Sequence, residues 1–90
     1  MKTKPWYAYV IETEKGHLYT GITTDIERRF KEHSTGKKGA KFFRTTAPTE
    51  IIFRKRFKNR SDASKFEARF KALNRKEKLA FLGILRPSLT

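Results

Sequence analysis

Ninety residues with 37% hydrophobic side chains, including eight phenylalanines, predict one folded domain over residues 1–90 and exclude a disordered tail. No apolar run approaches the ~18 residues that cross a bilayer, and no signal-peptide cleavage site follows the N-terminus. The absence of cysteine excludes disulfides and thiol chemistry and fits a cytoplasmic location. Twenty-two Lys and Arg residues against nine Asp and Glu residues give a net charge of +13, whose self-repulsion favours a polyanionic partner over a merely soluble basic surface.

The first part of the chain predicts a β-hairpin. Residues 6–13 alternate as a strand whose two faces are both at least partly covered. One face carries Trp6, Ala8 and Val10, and the other carries Tyr7, Tyr9 and Ile11. Gly16 allows a turn with positive φ, and residues 17–21 return as the second strand.

A helix is expected next, because the sequence from Thr24 to Glu27 has the spacing of a capping box. Its buried positions are Ile26, Phe30 and His33, which recur at helical spacing. Gly36 closes this helix.

Residues 35–48 predict a basic loop that grips phosphates. Its cations are Lys37, Lys38, Lys41 and Arg44. Phe42 and Phe43 interleave with them, and a phenylalanine here is suited to stack on an unpaired base. The alternative is a solvated loop in which one of these two rings packs into the core.

A third strand is predicted over residues 49–57, with Ile51, Phe53 and Phe57 on one side. Arg54 and Arg56 share the other side and belong to an acid-free stretch, which indicates a second strip of phosphate contacts. Nucleic acid is therefore the expected partner, DNA before RNA, although charge alone does not separate two polymers with the same backbone.

Two helices complete the chain. Ser61 is the predicted cap of the first, whose buried stripe consists of Ala63, Phe66, Phe70 and Leu73. The sequence from Asn74 to Glu77 is a second capping-box signal, and Arg86-Pro87 ends the last helix. The order β-β-α-β-α-α predicts an α+β fold, in which three helices flank a three-stranded antiparallel sheet.

Glu67, Arg29 and His33 are not explained by packing alone. Glu67 falls on the apolar stripe of its helix, where a carboxylate must be paired, bound to metal or at the rim of a cleft. Arg29 and His33 are four residues apart and project together from the first helix. The structural alternatives are an ion pair for Glu67, a satisfied histidine and an arginine whose stem packs on apolar surface.

The hairpin supplies a specific pattern. Tyr7-Ala8-Tyr9 and Tyr19-Thr20-Gly21 are two triplets on neighbouring strands, followed by Arg29, His33 and a helical glutamate at Glu67. This combination resembles the GIY-YIG nuclease superfamily over about residues 5–82, and it is most similar to the small stand-alone bacterial members. Packing of the tyrosines within ordinary strands is the alternative.

The resemblance implies that Tyr19 activates the water that attacks a phosphodiester, while Tyr9 orients that tyrosine or the water. Arg29 would stabilise charge on the phosphate, and His33 would assist proton transfer or hold the scissile group. A free tyrosine titrates near ~10, so a tyrosine base at neutral pH needs help from neighbouring cations.

The resemblance also implies that Glu67 binds a single divalent metal ion, Mg²⁺ or Mn²⁺, and that Gly21 lets the backbone pass close to a phosphate. Asn74 is better explained as a helix cap than as a catalytic asparagine. The leading expectation is thus a metal-dependent endonuclease that acts on DNA or structured nucleic acid.

Two other functions stay open. The first triplet begins Tyr7-Ala8 instead of Gly-Ile, which favours a nucleic-acid-binding module with the nuclease fold and little turnover. A structural protein of a ribonucleoprotein particle is compatible with the size and charge.

Overall fold

Three strands form one antiparallel sheet in which the first strand is central. The computed structural model describes residues 4–36, 41–44 and 46–83. The strands are β1 (Trp6–Thr13), β2 (Leu18–Thr23) and β3 (Pro48–Phe57), in the order β2-β1-β3. The helices are α1 (Ile26–Thr35), α2 (Arg60–Ala72) and α3 (Arg75–Leu82). The predicted α+β fold and element order are confirmed, and a short 3-10 helix (Lys41–Arg44) was not anticipated.

Helices cover both faces of the sheet. The consecutive residues of β1 from Ala8 to Ile11 are all buried, as expected for a central strand between two helical layers. Tyr9 and Ile11 pack with Ile26 of α1 on one face. We call this the α1 face, and we call the opposite face, which carries Ala8 and Val10, the α2 face.

Aromatic rings hold α2 and α3 against the α2 face. Phe66 of α2 stacks on Phe53 of β3 at 5.6 Å between ring centroids. Phe81 of α3 contacts both of these rings at 5.6 to 5.8 Å. Dispersion and apolar burial in this cluster, rather than intrinsic helix propensity, therefore fix the two short C-terminal helices.

A β-bulge changes the faces of β3. Val10 pairs with Phe53 but its neighbour Ile11 pairs with Ile51, so Ile52 has no partner on β1. The extra residue reverses the alternation, and Ile51 packs in the α1-face core while Phe53 packs against α2. The prediction that Ile51 and Phe53 share a face is therefore wrong.

The helix caps differ partly from the predicted ones. Asp25, not Thr24, caps α1, because its side chain accepts a hydrogen bond from the Arg28 N–H. Asn59, not Ser61, caps α2 in the same way. In both cases the residue just outside the helix has the extended backbone that a cap requires.

The capping box of α3 is confirmed in both directions, because Asn74 and Glu77 exchange side-chain and backbone hydrogen bonds of 2.8 and 2.9 Å. Gly83, with φ of 68°, ends α3 before Arg86-Pro87, which lies outside the described residues. Within the described ranges, no helix has the length and apolar character needed to span a membrane.

Replacement of Asp25 by alanine should lower the free energy of unfolding by about 1 kcal/mol, because an N–H at the start of α1 loses its acceptor. Chemical denaturation of Asp25→Ala beside Thr24→Ala measures this difference. A loss in Thr24→Ala that equals or exceeds the loss in Asp25→Ala would contradict the cap seen in the structure.

Candidate active site

The site is built around Tyr9, whose ring lies across β2 at Gly21. Tyr9 and Gly21 are register partners, and a methyl group added to Gly21 would lie 2.6 Å from the Tyr9 hydroxyl oxygen. Glycine is required here to make room for the ring. The buried contact with Tyr9 is a packing reason for glycine at position 21, and the expectation that Gly21 brings the backbone close to a phosphate stays a prediction.

The Tyr9 hydroxyl joins the sheet to α1. It lies 3.0 Å from Nε2 of His33, and the Arg29 guanidinium also hydrogen-bonds with it. Arg29 and His33 are four residues apart, so one turn of α1 presents both to the same atom. The sequence expectation that these two side chains project together is met, and their common target is Tyr9.

Burial sets the protonation states of Tyr9 and His33. Desolvation raises the pKa of Tyr9 well above its ordinary value, with the Tyr19 hydroxyl adding to the rise and Arg29 opposing it. Desolvation and the Arg29 charge lower the pKa of His33 to about 4. At neutral pH, Tyr9 is a phenol and His33 a neutral imidazole, so the Tyr9 hydroxyl accepts from Arg29 and shares a hydrogen bond with Nε2 of His33.

His33 is only 1% exposed, which limits what it can do. Its ring packs on Phe43 at 4.4 Å and on Tyr19 at 5.3 Å. On its other side, Nε2 of His33 contacts the Tyr9 hydroxyl. The direct role that the resemblance implies for His33 stays a prediction.

Tyr19 is half-buried and stands at the edge of the same cluster. Its ring centroid is 6.4 Å from that of Tyr9. The 3-10 helix places Phe42 and Phe43 against it at 5.3 and 4.8 Å. Tyr19 is thus fixed by aromatic packing on three sides, while Tyr9 is fixed by hydrogen bonds.

Glu32 is a charged neighbour of Arg29 that the sequence did not single out. Its carboxylate lies 2.9 Å from Arg29, and this ion pair is about three-quarters covered on both sides. The i,i+3 spacing of the two residues on a helix was the available signal. Glu32 holds the Arg29 guanidinium in place and offsets its charge beside His33.

Glu67 lies on α2, which packs on the α2 face. Its negative charge raises the pKa of Tyr9, but it is the smallest of the influences on that pKa. Glu67 is 23% exposed and pairs with Lys71 at 3.3 Å, one turn along the helix. Because the Lys71 side chain is 58% exposed, this pair contributes only about 0.3–0.5 kcal/mol and does not by itself explain a carboxylate at this position.

The donor set suits a hard, strongly hydrated cation. No group of three or more His, Asp or Glu side chains comes together within the described part of the chain. Mg²⁺ and Mn²⁺ accept carboxylate oxygen, and Mg²⁺ keeps several waters, so one partly exposed carboxylate and a substrate phosphate make an adequate site. Glu67 fits that requirement.

Two of the predicted nucleic-acid contacts, Arg54 and Arg56, lie on the α1 face. Register partners place Arg54 beside Tyr9 and Arg56 beside Tyr7, and both arginines are exposed. Arg54 also pairs with Glu27 of α1 at 3.1 Å. Lys41 is exposed in the 3-10 helix that Arg44 ends. The remaining two predicted contacts, Lys37 and Lys38, lie outside the described residues.

A family model and several relatives match most of the chain. A model described as the GIY-YIG catalytic domain matches residues 5–80. The chain is 42% identical to a UPF0213 protein of Streptococcus agalactiae over 78 residues, 87% of this chain and 88% of that protein. It is 45% identical to a UPF0213 protein of Cupriavidus necator over 80 residues, 89% of this chain and 86% of that protein.

Two solution NMR structures resemble the fold. The UPF0213 protein of Bacillus halodurans gives a TM-score of 0.58 at 33% identity, covering 94% of this chain and 89% of that one. A protein from E. faecalis gives a TM-score of 0.62 at 40% identity, and the match covers 91% of this chain and 86% of that one. The matched range of the domain includes every residue of the site described above.

Gly21→Ala should lower the free energy of unfolding by about 1–3 kcal/mol, because the added methyl group displaces a ring that is buried and hydrogen-bonded. Thermal unfolding of Gly21→Ala, in the wild-type chain and in a Tyr9→Leu background, measures this coupling. The loss should shrink when the ring is absent. An equal loss in both backgrounds would contradict the steric account.

Acid should destabilise the fold through His33. The unfolded chain takes up this proton near pH 6.5, whereas the folded chain resists it down to about pH 4. The stabilisation is therefore fully present above pH 6.5, and up to about 3 kcal/mol of it is lost as the pH falls from 6.5 to 4.

Denaturant unfolding at several pH values measures this loss. His33→Gln should flatten the dependence of stability on pH in that window, while the matched variant of the exposed histidine, His17→Gln, should retain it. Equal slopes for His33→Gln and the wild type would refute the assignment.

Proposed function

Because the chain belongs to the GIY-YIG family, we propose that it is a metal-dependent endonuclease that hydrolyses phosphodiester bonds in DNA or in structured nucleic acid. The observation that carries this proposal is the convergence on one hydroxyl. Tyr9 accepts from Arg29 and hydrogen-bonds with His33, with Tyr19 beside it and the Glu67 charge within electrostatic reach.

The proposed mechanism gives Tyr9 and Tyr19 different roles. Tyr9 keeps its proton, since burial raises its pKa, so it positions groups by hydrogen bonding and is not the base. Tyr19 takes the proton of the attacking water and passes its own phenolic proton to bulk water, as a new P–O bond forms and the bond to the leaving oxygen breaks. The leaving oxygen takes a proton from bulk water. The half-buried position of Tyr19 at the edge of the cluster supports this role.

Arg29 supplies fixed positive charge for the phosphate. Its guanidinium is held from both sides by Glu32 and by Tyr9, so little reorganisation is needed when negative charge develops. A charge oriented in advance stabilises a transition state better than a mobile one. His33 acts behind this arrangement by fixing the orientation of the Tyr9 hydroxyl.

Glu67 would hold the divalent metal ion. When bound, such an ion neutralises negative charge on the phosphate and on the leaving oxygen. Two exposed cations, Arg54 and Arg56, lie on the same face as Tyr9. They support binding of a polyanion across the site.

A second candidate function is a nucleic-acid-binding module without turnover. The observation that favours it is the Lys71 ammonium at 3.3 Å from Glu67, because a cationic side chain on this carboxylate competes with a metal ion. The pair is exposed and weak, which leaves the endonuclease as the better-supported function.

Glu67→Gln should reduce cleavage by orders of magnitude, because the amide keeps the size of the side chain but not the charge that holds the metal ion. Incubation of the protein with duplex, branched and single-stranded DNA, with Mg²⁺ or Mn²⁺, measures this loss. The thermal midpoint should hardly change, since only a surface ion pair is lost.

Lys71→Ala is the matched control, because it removes the same ion pair and leaves the carboxylate in place. It should retain cleavage. Full activity of Glu67→Gln would refute the metal-site assignment, and equal inactivity of both variants would point to the ion pair. A wild-type chain that binds all three substrates but cuts none would support the binding module.

A further inference from the structure

Phe42 is an exposed aromatic ring beside the candidate active site. Only two large hydrophobic side chains in the described ranges are substantially exposed, Phe42 at 36% and Phe81 at 52%. Phe81 belongs to the aromatic cluster on the α2 face, far from the tyrosines in the fold. Phe42, by contrast, contacts Tyr19 at 5.3 Å between ring centroids.

The ring is held in this exposed position. Phe43 meets it edge to face at 5.3 Å, and His17 meets it at 6.3 Å. The 3-10 helix gives these adjacent phenylalanines different environments, because Phe43 is buried against His33 while Phe42 faces outward. Packing therefore restricts the Phe42 ring and leaves about a third of the side chain exposed.

We infer that Phe42 is a stacking platform for an unpaired base, so that the substrates of the proposed endonuclease carry single-stranded or unpaired nucleotides. This inference rests on the proposed function and specifies its substrate class. Aromatic rings bind bases of any sequence through their π-faces. A base within a duplex presents only its edges, whereas an unpaired base offers that face.

The surroundings of Phe42 favour nucleic acid over an apolar partner. Lys41 is exposed next to it in the same 3-10 helix, and the chain carries a net charge of +13. A basic groove with aromatic rings is the usual arrangement for binding single strands. The 5.3 Å between the ring centroids of Phe42 and Tyr19 puts the proposed platform directly beside the proposed catalytic tyrosine.

Binding without metal tests the inference independently of cleavage. The probes are a single-stranded DNA oligonucleotide carrying 2-aminopurine and a fully paired duplex of the same sequence. Phe42→Leu keeps apolar packing against Tyr19 but removes the π-face, so affinity for the single strand should fall by about 5- to 150-fold. Affinity for the duplex should change less than twofold.

Phe81→Leu is the matched control for loss of an exposed phenylalanine, and it should leave both affinities unchanged. Phe42→Trp should restore single-strand binding and quenching of the 2-aminopurine fluorescence. Equal losses on single strand and duplex, no loss in Phe42→Leu, or a loss in Phe81→Leu of the same size would each overturn the inference.

The two proposals fail differently. Selective loss of single-strand binding in Phe42→Leu, in a protein that cleaves nothing with Mg²⁺ or Mn²⁺, would support the platform and reject the endonuclease. Cleavage that proceeds equally in Phe42→Leu and the wild type, with unchanged single-strand affinity, would support the endonuclease and reject the platform.

Discussion

The Tyr9 side chain connects β1, β2 and α1 through one buried hydroxyl. Its ring needs the space that Gly21 leaves free, and its oxygen needs both Arg29 and His33 from one turn of α1. Loss of these partners would destabilise the fold, because a buried polar group without a partner costs about 1–3 kcal/mol. The position of α1 on the sheet and the geometry of the candidate site are consequently set by the same contacts.

This dependence explains why the residues that hold the geometry of the site are more deeply buried than the residues proposed to act on a substrate. The groups that hold the geometry, Tyr9 and His33, are almost fully buried and neutral, so neither carries a charge into the low-dielectric interior. The groups proposed to act on a substrate lie further out: Tyr19 is half-buried, and Arg29 and Glu67 are partly exposed. Ionised side chains remain hydrated there until a polyanion or a metal ion displaces the water.

The sheet also distributes its positive charge between two faces. Arg54 and Arg56 lie on the α1 face with the tyrosines, whereas Lys55 alternates to the α2 face, where its ammonium lies 5.7 Å from the centre of the Phe57 ring. The basic stretch of β3 is thus not one continuous strip. The two arginines share a face with Tyr9, while the α2 face carries the packed rings of Phe53, Phe57 and Phe66.

The sequence by itself determined the element order and the faces of β1, because alternation in strands and capping signals in helices act over a few residues. The same local logic brought Arg29 and His33 together and identified Asn74 as a cap. Tertiary structure decided what those signals leave open. The bulge at Ile52, which moves Ile51 and Phe53 to opposite faces, arises from pairing with β1, and the choice between Phe42 and Phe43 for burial arises from contact with His33. Only the folded chain could show that Gly21 makes room for Tyr9, because that contact joins two strands through space and leaves no trace in local periodicity.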